Sequence, residues 1–145
     1  GLPLVSFIDT PGAELSPEAE QGAIAGEIAR CISSMSTMQV PSVSVLLGQG
    51  CGGGALALLP ASTVIATQHS WLSPLPPEGA SAIVHGDVDH AAEMAAAQRI
   101  SAFDLKEAGA VQHIIAEPTH DDPEAFSCAV AAEIAHQLRQ LRGQK

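Results

Sequence analysis

Residues 43–58 read VSVLLGQGCGGGALAL, an apolar run followed by a glycine-rich stretch and then by alanines and leucines. The continuous apolar run at 43–47 predicts a strand that is buried on both faces. The glycines at 48–54 predict a loop, and the alanine- and leucine-rich end predicts the start of a helix. A buried strand that leads through a loop into a helix is half of a βαβ unit, so this stretch indicates a mostly parallel α/β sheet.

The segments before this stretch supply the other half of the unit. Residues 4–8 form a second apolar run, which stops at the turn sequence DTPG at 9–12. Between 20 and 38 apolar residues recur at steps of three and four, which predicts one helix with a single apolar face. The apolar residues of that face are Ile24, Ile28, Cys31, Ile32 and Met35.

The rest of the chain continues the alternation of strands and helices. We predict strands at 63–67, 70–73 and 111–115, with the proline-rich turn 74–77 and two or three alanine-rich helices between the last two. A final helix begins at Asp122 and Pro123, since proline fits the first helical position. Its apolar stripe ends at Gly143. With no internal repeat and no linker, the pattern predicts one α/β domain.

The composition excludes several classes of protein. A chain of 145 residues with 46 % hydrophobic content can bury one core. Six Lys+Arg against sixteen Asp+Glu give a net charge of -10, so the surface repels nucleic acid and anionic lipid. Glycines and Pro60 interrupt the most apolar segment before it reaches the ~20 residues that a membrane span needs. We therefore predict no nucleic-acid partner and no membrane span.

The cysteines and the amino terminus bear on the cellular compartment. The three cysteines are odd in number and far apart, which favours a reduced cytoplasmic protein over a disulfide-linked secreted one. No basic and apolar leader of the secretory type is present. The sequence begins at Gly1 rather than at Met, and we expect it to continue a longer polypeptide.

The glycine-rich stretch is the strongest candidate for chemistry. Residues without a Cβ let the backbone approach a ligand closely, and a helix amino terminus presents unpaired N–H groups that stabilise a developing oxyanion. The stretch lacks the Gly-Lys-Ser/Thr ending of a Walker loop and the spacing of a dinucleotide fingerprint. Glycines between a strand and a helix also serve close packing, so the residues alone leave an anion site and a packing role open.

Short motifs along almost the whole chain point to one family. In order they are FIDTPGA at 7–13, AE at 19–20, GQGCGGGALA at 48–57, Ser73, PEGASAI at 77–83, AAE at 91–93, SAFDL at 101–105 and IIAEP at 114–118. In this order they resemble the carboxyltransferase α subunit of bacterial acetyl-CoA carboxylase. Several motifs in the right sequence are far more specific than any one of them.

The resemblance implies a crotonase-like (ClpP/crotonase) α/β fold of repeated ββα units. It implies that residues 1–145 form a carboxyltransferase domain of the C-terminal, biotin-side type that lacks its N-terminal strands. The implied cofactor is biotin, as carboxybiotin on a carrier protein rather than on this chain. The implied partners are acyl-CoA, a carboxyltransferase domain of the N-terminal type or β subunit, biotin carboxyl carrier protein and biotin carboxylase, in an oligomer.

The resemblance also implies a reaction and a set of site residues. The family moves a carboxyl group from biotin N1 to the α-carbon of an acyl-CoA, with acetyl-CoA or propionyl-CoA as the expected acceptor here. Formation of malonyl-CoA would serve fatty acid biosynthesis. Both developing oxyanions need hydrogen-bond donors more than nucleophiles. By analogy the backbone N–H groups of Gly53, Gly54 and Ala55 form an oxyanion hole. The expected substrate-binding residues are Gly12, Gly52, Glu78, Gly79 and Ala80.

Departures from the family pattern keep other functions open. The chain has Gln49 where the family has an acidic residue, ELSP at 14–17 where the family has aromatic residues and glycines, and three extra residues between Ser73 and Gly79. One alternative is another crotonase-type acyl-CoA enzyme, a hydratase, isomerase or decarboxylase subunit. A second is a catalytically silent structural subunit. Dependence on a biotinylated carrier separates the first alternative from a carboxyltransferase.

Individual residues have alternative roles as well. Cys51 lies inside the glycine stretch as a candidate nucleophile, although a small buried residue is the commoner role of a lone cysteine. Asp9 could cap a loop or position a substrate, and Glu78 fits a dipole partner at a helix start better than a catalytic acid. Trp71 could line a pocket or fill the core, and we expect it to fill the core. Residues 85–90, HGDVDH, are expected to form a turn before a helix, and we assign no metal site.

Overall fold

The computed structural model of the chain describes residues 1–119 and 122–143. Five strands and seven helices occur in this part of the chain. In order they are β1 (Leu4–Thr10), α1 (Pro17–Gln21), α2 (Ile24–Ser36), β2 (Ser42–Cys51), α3 (Gly52–Leu58), β3 (Thr63–Thr67), β4 (Trp71–Ser73), α4 (Pro77–His85), α5 (Ala91–Gln98), α6 (Ala102–Glu107), β5 (His113–Ile115) and α7 (Pro123–Gly143).

The strands form one parallel sheet, which confirms the predicted α/β class. The order across the sheet is β1-β2-β3-β5, and β4 pairs with the far end of β2. Val45 is central, facing Phe7 on β1 and Ile65 on β3, while Ile65 in turn faces His113 on β5. Among the described strands, β1 and β5 are the edges.

Apolar residues of successive strand positions fill two cores on opposite faces of the sheet. Leu46 and Val45 are both fully buried, and they point to different faces because side chains alternate along a strand. Helices α3 and α6 cover one face, and α7 covers the other. The first core contains Ile8, Leu46, Ala55, Val64, Ala66, Leu72, Ala102 and Val111, and the second contains Val43, Val45, Ile65, Ile115 and Val130.

The predicted helix at 20–38 is wrong in one respect, because two helices occupy this region. Ser16 caps α1 by accepting a hydrogen bond from the Ala19 N–H at 3.1 Å. The chain then turns at Ala23, which has a left-handed φ of 56°, before α2 begins. A non-glycine residue in that conformation costs roughly 1–2 kcal/mol, a cost that periodicity does not reveal.

Strand boundaries also differ from the sequence predictions. The run at 63–67 is a strand as predicted, and the final helix begins at Pro123 as predicted. However, β2 continues to Cys51 and α3 begins at Gly52, so the loop predicted at 48–54 is wrong: residues 48–51 extend the strand and residues 52–54 form the first turn of the helix. The strand predicted at 111–115 covers only His113–Ile115. The longer β2 matters most, because its extra residues pair with β4 and carry the chain to the candidate site.

A bulge separates the two halves of β2. Ile8 pairs with Leu46 and Thr10 pairs with Gly50, so one residue of β1 faces three residues of β2. Asp9 fills this irregularity, since its Oδ1 accepts a hydrogen bond from the Gln49 N–H at 3.1 Å. An acidic side chain thus satisfies a backbone donor that the sheet leaves unpaired.

Candidate active site

Three parallel strands end side by side at one edge of the sheet. Thr10, the last residue of β1, pairs with Gly50, and Cys51, the last residue of β2, pairs with Ser73 at the end of β4. A helix follows each of these strands, and in an open parallel sheet ligands bind outside the carboxyl ends of the strands. This edge is therefore the candidate site.

The amino terminus of α3 provides hydrogen-bond donors at this edge. Cys51 is the N-cap, and Gly52 follows with a left-handed φ of 62° that favours glycine. The first N–H groups of a helix have no partner within it, so the amides from Gly52 onward are available. Gly53 and Gly54 are partly exposed, whereas Ala55 is fully buried, so the Ala55 amide lies behind the other two.

Close packing explains why glycines occupy two of these positions. A Cβ on Gly53 would lie 2.8 Å from Cδ1 of Ile28 on α2. A Cβ on Gly54 would lie 3.1 Å from the backbone nitrogen of Ala13 and 3.2 Å from the carbonyl carbon of Gly12. Close packing thus requires glycine at both positions, and both residues remain half-buried at the start of the helix.

The turn after β1 brings Gly12 to the same place. Gly12 has a φ of 135°, in the region that favours glycine, and the Thr10 hydroxyl holds the turn. That hydroxyl donates to the Gly12 carbonyl at 3.1 Å and accepts from the Gly12 N–H at 3.2 Å. The predicted site residues Gly12, Gly53 and Gly54 are thus neighbours in the fold.

The amino terminus of α4 forms the third side of the edge. Pro74, just before α4, places its carbonyl oxygen 3.8 Å from a Cβ built on Gly52. Glu78 is exposed in the first turn of α4 and is close enough to influence the Cys51 thiol electrostatically. Gly79 packs against the Leu75 side chain, because a Cβ built on Gly79 would lie 3.4 Å from Cδ1 of Leu75. Ala80 is buried, so it supports α4 rather than lining the open edge.

The environment of Cys51 disfavours a nucleophilic thiol. The residue is only 2 % exposed. Burial raises the pKa of the Cys51 thiol, and the Glu78 carboxylate raises it further. Both effects keep the thiol protonated near neutral pH, and a reactive cysteine needs the opposite, a thiolate stabilised by nearby positive charge.

An open cleft of about 650 Å³ lies beside this edge, between the β3–β4 connection, α5 and α6. Glu78 lines it on the side nearest Cys51, and alanines of α5 form its wall. Trp71 also lines the cleft and is half-buried, so the expectation that Trp71 fills the core is wrong. Local sequence pattern could not decide between the core and a pocket at Trp71, because the cleft forms between separate segments of the chain.

Residues 86–90 form the expected turn before α5, and His85 is the last residue of α4. The rings of His85 and His90 stack with their centres 4.1 Å apart, and His90 Nδ1 lies 2.9 Å from Oδ1 of Asp87. Within residues 1–119 and 122–143, no group of three or more histidine, cysteine or acidic side chains is arranged to hold a metal ion.

Comparison with known proteins decides the family. The profile of the acetyl co-enzyme A carboxylase carboxyltransferase-like family matches residues 1–145. The chain belongs to this family. The family relationship confirms the resemblance that the ordered motifs indicated. In the parts of this family member that the structure describes, no helix combines the length and apolar character needed to cross a membrane.

Relatives of this carboxyltransferase-like chain carry two kinds of name. It is 53 % identical over 146 residues to a probable biotin-dependent acyl-coenzyme A carboxylase beta3 subunit of Mycobacterium tuberculosis, which covers 97 % of this chain and 29 % of the relative. It is 38 % identical over 148 residues to the acetyl-coenzyme A carboxylase carboxyl transferase subunit alpha of Rhizorhabdus wittichii, covering 100 % of this chain and 47 % of that subunit. The chain therefore spans less than half the length of these relatives.

Solved structures confirm the crotonase-like fold of this family member. The transcarboxylase 12S structure with methylmalonyl-coenzyme A and methylmalonic acid bound has a TM-score of 0.76 and 25 % identity, over 96 % of this chain and 27 % of that chain. A Pseudomonas malonate decarboxylase hetero-dimer has a TM-score of 0.78 over 94 % of this chain and 56 % of that chain. Its identity is 16 %, so that likeness shows the fold alone.

Proposed function

We propose that this chain is the carboxybiotin-side domain of the carboxyltransferase of a biotin-dependent acyl-CoA carboxylase. The complete enzyme would transfer the carboxyl group to the α-carbon of acetyl-CoA or propionyl-CoA. Its relatives are named as subunits of biotin-dependent acyl-CoA and acetyl-CoA carboxylases. Residues 1–145 form one domain of the biotin-side type in this proposal.

The observation that carries the proposal is the meeting of the α3 amino terminus with the turn after β1. Gly53 and Gly54 are half-buried at the carboxyl edge of the sheet, and the Gly12 turn packs against Gly54. Such preorganised donors stabilise an oxygen that gains negative charge during acyl or carboxyl transfer, and one donor is worth roughly 2.7–4 kcal/mol. In the proposal Gly53 and Gly54 supply the donors and the buried Ala55 holds the helix behind them.

The residues at this edge suit biotin better than CoA phosphates. Carboxybiotin, when delivered by its carrier protein, supplies the carboxyl group that is transferred. The donors here are backbone amides, which fit a neutral ureido oxygen, and the nearby Glu78 carboxylate disfavours a phosphate. Gly12, Gly52 and Gly79 would line the approach to the amides, and Ala80 would fix α4 beneath it.

The charge of the chain supports the proposal that a partner binds the acyl-CoA. With six Lys+Arg against sixteen Asp+Glu, this domain offers little attraction to the anionic CoA. The proposed partners are a carboxyltransferase domain of the N-terminal type or β subunit for acyl-CoA, together with biotin carboxyl carrier protein and biotin carboxylase. We propose an oligomeric assembly, which the hexamer of transcarboxylase 12S and the hetero-tetramer of malonate decarboxylase support. We also propose a cytoplasmic location, which the three free cysteines support.

The reverse reaction tests the proposal. The chain, assembled with its acyl-CoA-side partner, is given malonyl-CoA or methylmalonyl-CoA with free biotin as the carboxyl acceptor. We expect release of acetyl-CoA or propionyl-CoA that depends on biotin, and the faster of the two identifies the acceptor. We also expect release to depend on the presence of this chain.

Three results would contradict the proposal and select an alternative. Release that proceeds equally without biotin indicates a decarboxylase of the crotonase type. Release that is unchanged when the amide edge is disrupted by Gly54→Ala indicates a structural subunit with no catalytic role. Acyl-CoA affinity that falls tenfold or more in that variant, with use of biotin unchanged, would reverse the assignment of the two substrates to the two halves.

A further inference from the structure

Helices α4 and α5 form a hairpin that stands away from the sheet. Only the start of α4 is buried, through Pro77, Ala80 and Ser81, and α5 has no buried residue at all. The second half of α4 is exposed on every side. Ile83 is 75 % exposed, Val84 64 % and Val88 57 %, so the hairpin presents an apolar ridge to solvent. An apolar ridge of this kind marks an interaction surface.

The hairpin is held in a defined shape without help from a partner. The buried Ser81 hydroxyl donates to the Asp87 carbonyl at 2.7 Å and accepts from the His90 N–H at 3.2 Å, which fixes the connecting turn. At the other end, the Ser73 hydroxyl donates to Oε1 of Gln98 at 3.0 Å. The ridge is therefore preformed, which lowers the entropic cost of binding.

The charges around the ridge have one sign. Residues 77–98 contain four carboxylates and no lysine or arginine. The carboxylates are Glu78, Asp87, Asp89 and Glu93. A second copy of this chain would place these carboxylates against one another if the ridges met, which is unfavourable. The complementary partner is a surface with an apolar recess bordered by lysine or arginine.

We propose that this α4–α5 hairpin is the docking surface for the acyl-CoA-side carboxyltransferase domain, an assignment of the partner that rests on the proposed function. A domain that holds the CoA phosphates carries the positive charge that the hairpin lacks. The base of the hairpin adjoins the candidate site, where the Pro74 carbonyl approaches Gly52 and Glu78 influences Cys51. Docking at the ridge would bring the acyl-CoA beside the amides of α3.

The test measures assembly of the full chain with the acyl-CoA-side carboxyltransferase domain by sedimentation velocity. Ile83→Asp places a charge in the ridge, and we expect the dissociation constant to rise ~100-fold. Ala132→Asp on the exposed side of α7 adds the same charge elsewhere, and we expect less than ~3-fold change. The double variant Asp89→Asn, Glu93→Gln should weaken assembly at about 50 mM NaCl. Its affinity should also fall less than that of the unmodified chain when NaCl is raised from about 50 to about 300 mM.

Outcomes of this experiment separate the docking surface from the proposed function. A complex that forms with Ile83→Asp as readily as with the unmodified chain overturns the docking surface, even if it transfers carboxyl groups. A complex that depends on Ile83 but transfers no carboxyl group contradicts the proposed function and leaves the surface in place. If the unmodified chain does not bind the domain, the docking proposal is also overturned. This holds whether or not the chain self-associates through a contact that Ile83→Asp removes.

Discussion

The carbonyl carbon of Gly12 lies 3.2 Å from the position that a Cβ of Gly54 would occupy. The contact joins the turn after β1 to the first turn of α3, and both sides of it are backbone. Backbone cannot rotate away as a side chain can, so the spacing of these two segments depends on the absence of a side chain at Gly54. This relationship gives the candidate site its shape.

Gly54→Ala should therefore impair the reaction more than Gly53→Ala. At Gly54 the new methyl group meets the backbone of Gly12 and Ala13, and the turn must move. We expect biotin-dependent release of acyl-CoA to fall ~100-fold, comparable to the loss of one oxyanion-hole donor. At Gly53 the methyl group meets only the Ile28 side chain, which Ile28→Val shortens, so the double variant should recover most of the lost activity.

Thermal unfolding and a neutral glycine provide the controls for this comparison. Gly143 at the end of α7 has no atom within 4 Å of its Cβ position, so Gly143→Ala should leave both melting temperature and activity unchanged. A Gly54→Ala protein that turns over at the rate of the unmodified chain would show that the spacing of the two segments does not matter to catalysis.

Asp9 should be required for its oxygen rather than for its charge. Its Oδ1 accepts a hydrogen bond from the Gln49 N–H at 3.1 Å, and asparagine retains such an oxygen. We expect Asp9→Ala to lower the free energy of unfolding by about 1 kcal/mol and Asp9→Asn to lower it by less. Denaturant titration of the two variants measures the difference, and equal losses would contradict a hydrogen-bonding role.

Gly48 should be coupled to Asp9 in a double-mutant cycle. A Cβ on Gly48 would lie 2.7 Å from Oδ1 of Asp9, so Gly48→Ala displaces the carboxylate from the bulge. In the Asp9→Ala background that clash is absent, and the second substitution should cost less than in the unmodified chain. We expect a coupling energy of about 0.5–3 kcal/mol, the range for residues in contact. Additive effects would show that the two residues act independently.

Features that depend on neighbouring residues in the sequence were predictable, and those that depend on distant contacts were not. The run Thr63–Thr67 is a strand because a short apolar, β-branched segment between turn signals has few alternatives. The helix after the glycine stretch was predicted by the same local reasoning, but it begins at Gly52, inside the segment predicted to be a loop. The hydrogen bond between Asp9 and Gln49 joins residues 40 positions apart, and no pattern in the sequence marks it.

The predictions for the region around Ala23 and for Trp71 failed for related reasons. The apolar residues at steps of three and four all lie in α2, so their spacing gives no sign of the left-handed turn at Ala23 that separates α2 from α1. A tryptophan in a short strand usually fills a core, but at Trp71 the cleft formed by α5 and α6 leaves it half-buried. The motifs located the candidate site despite these errors, because its glycines adjoin the ends of β1 and β2.

Cys51 should behave as a slow, structural thiol. Burial, and secondarily Glu78, raise its pKa, so the thiolate forms only at a pH above that of an ordinary cysteine. At neutral pH iodoacetamide should modify the exposed Cys128 well before Cys51, as peptide mass spectrometry can follow. Cys51→Ala should keep most of the exchange activity. Loss of activity in Cys51→Ala with Gly54→Ala fully active would instead support a thiol nucleophile.

The same shift predicts how stability depends on pH. Because the folded state holds the Cys51 proton more tightly than the unfolded state, the unfolded chain loses that proton first as pH rises. The free energy of unfolding should therefore fall once the pH exceeds the pKa of an unfolded cysteine, about 8.5. Cys51→Ala should remove this part of the alkaline decline, and a decline identical in both proteins would contradict the assignment.

The outer edge of β1 should make the isolated chain self-associate. Among the described strands β1 pairs only with β2, so its other edge presents unpaired backbone groups. Phe7 is 52 % exposed beside this edge and lines an apolar cleft of about 280 Å³ with Leu47 and residues of α7. An open edge next to exposed apolar surface favours pairing with another strand, and Phe7→Lys should oppose it by adding charge.

Sedimentation velocity at micromolar concentration should show oligomers for the unmodified chain and fewer for Phe7→Lys. Phe103→Lys, at a residue 60 % exposed on α6, is the matched control and should leave association unchanged. A folded monomer of the unmodified chain at that concentration would contradict the prediction, since the edge would then need no partner.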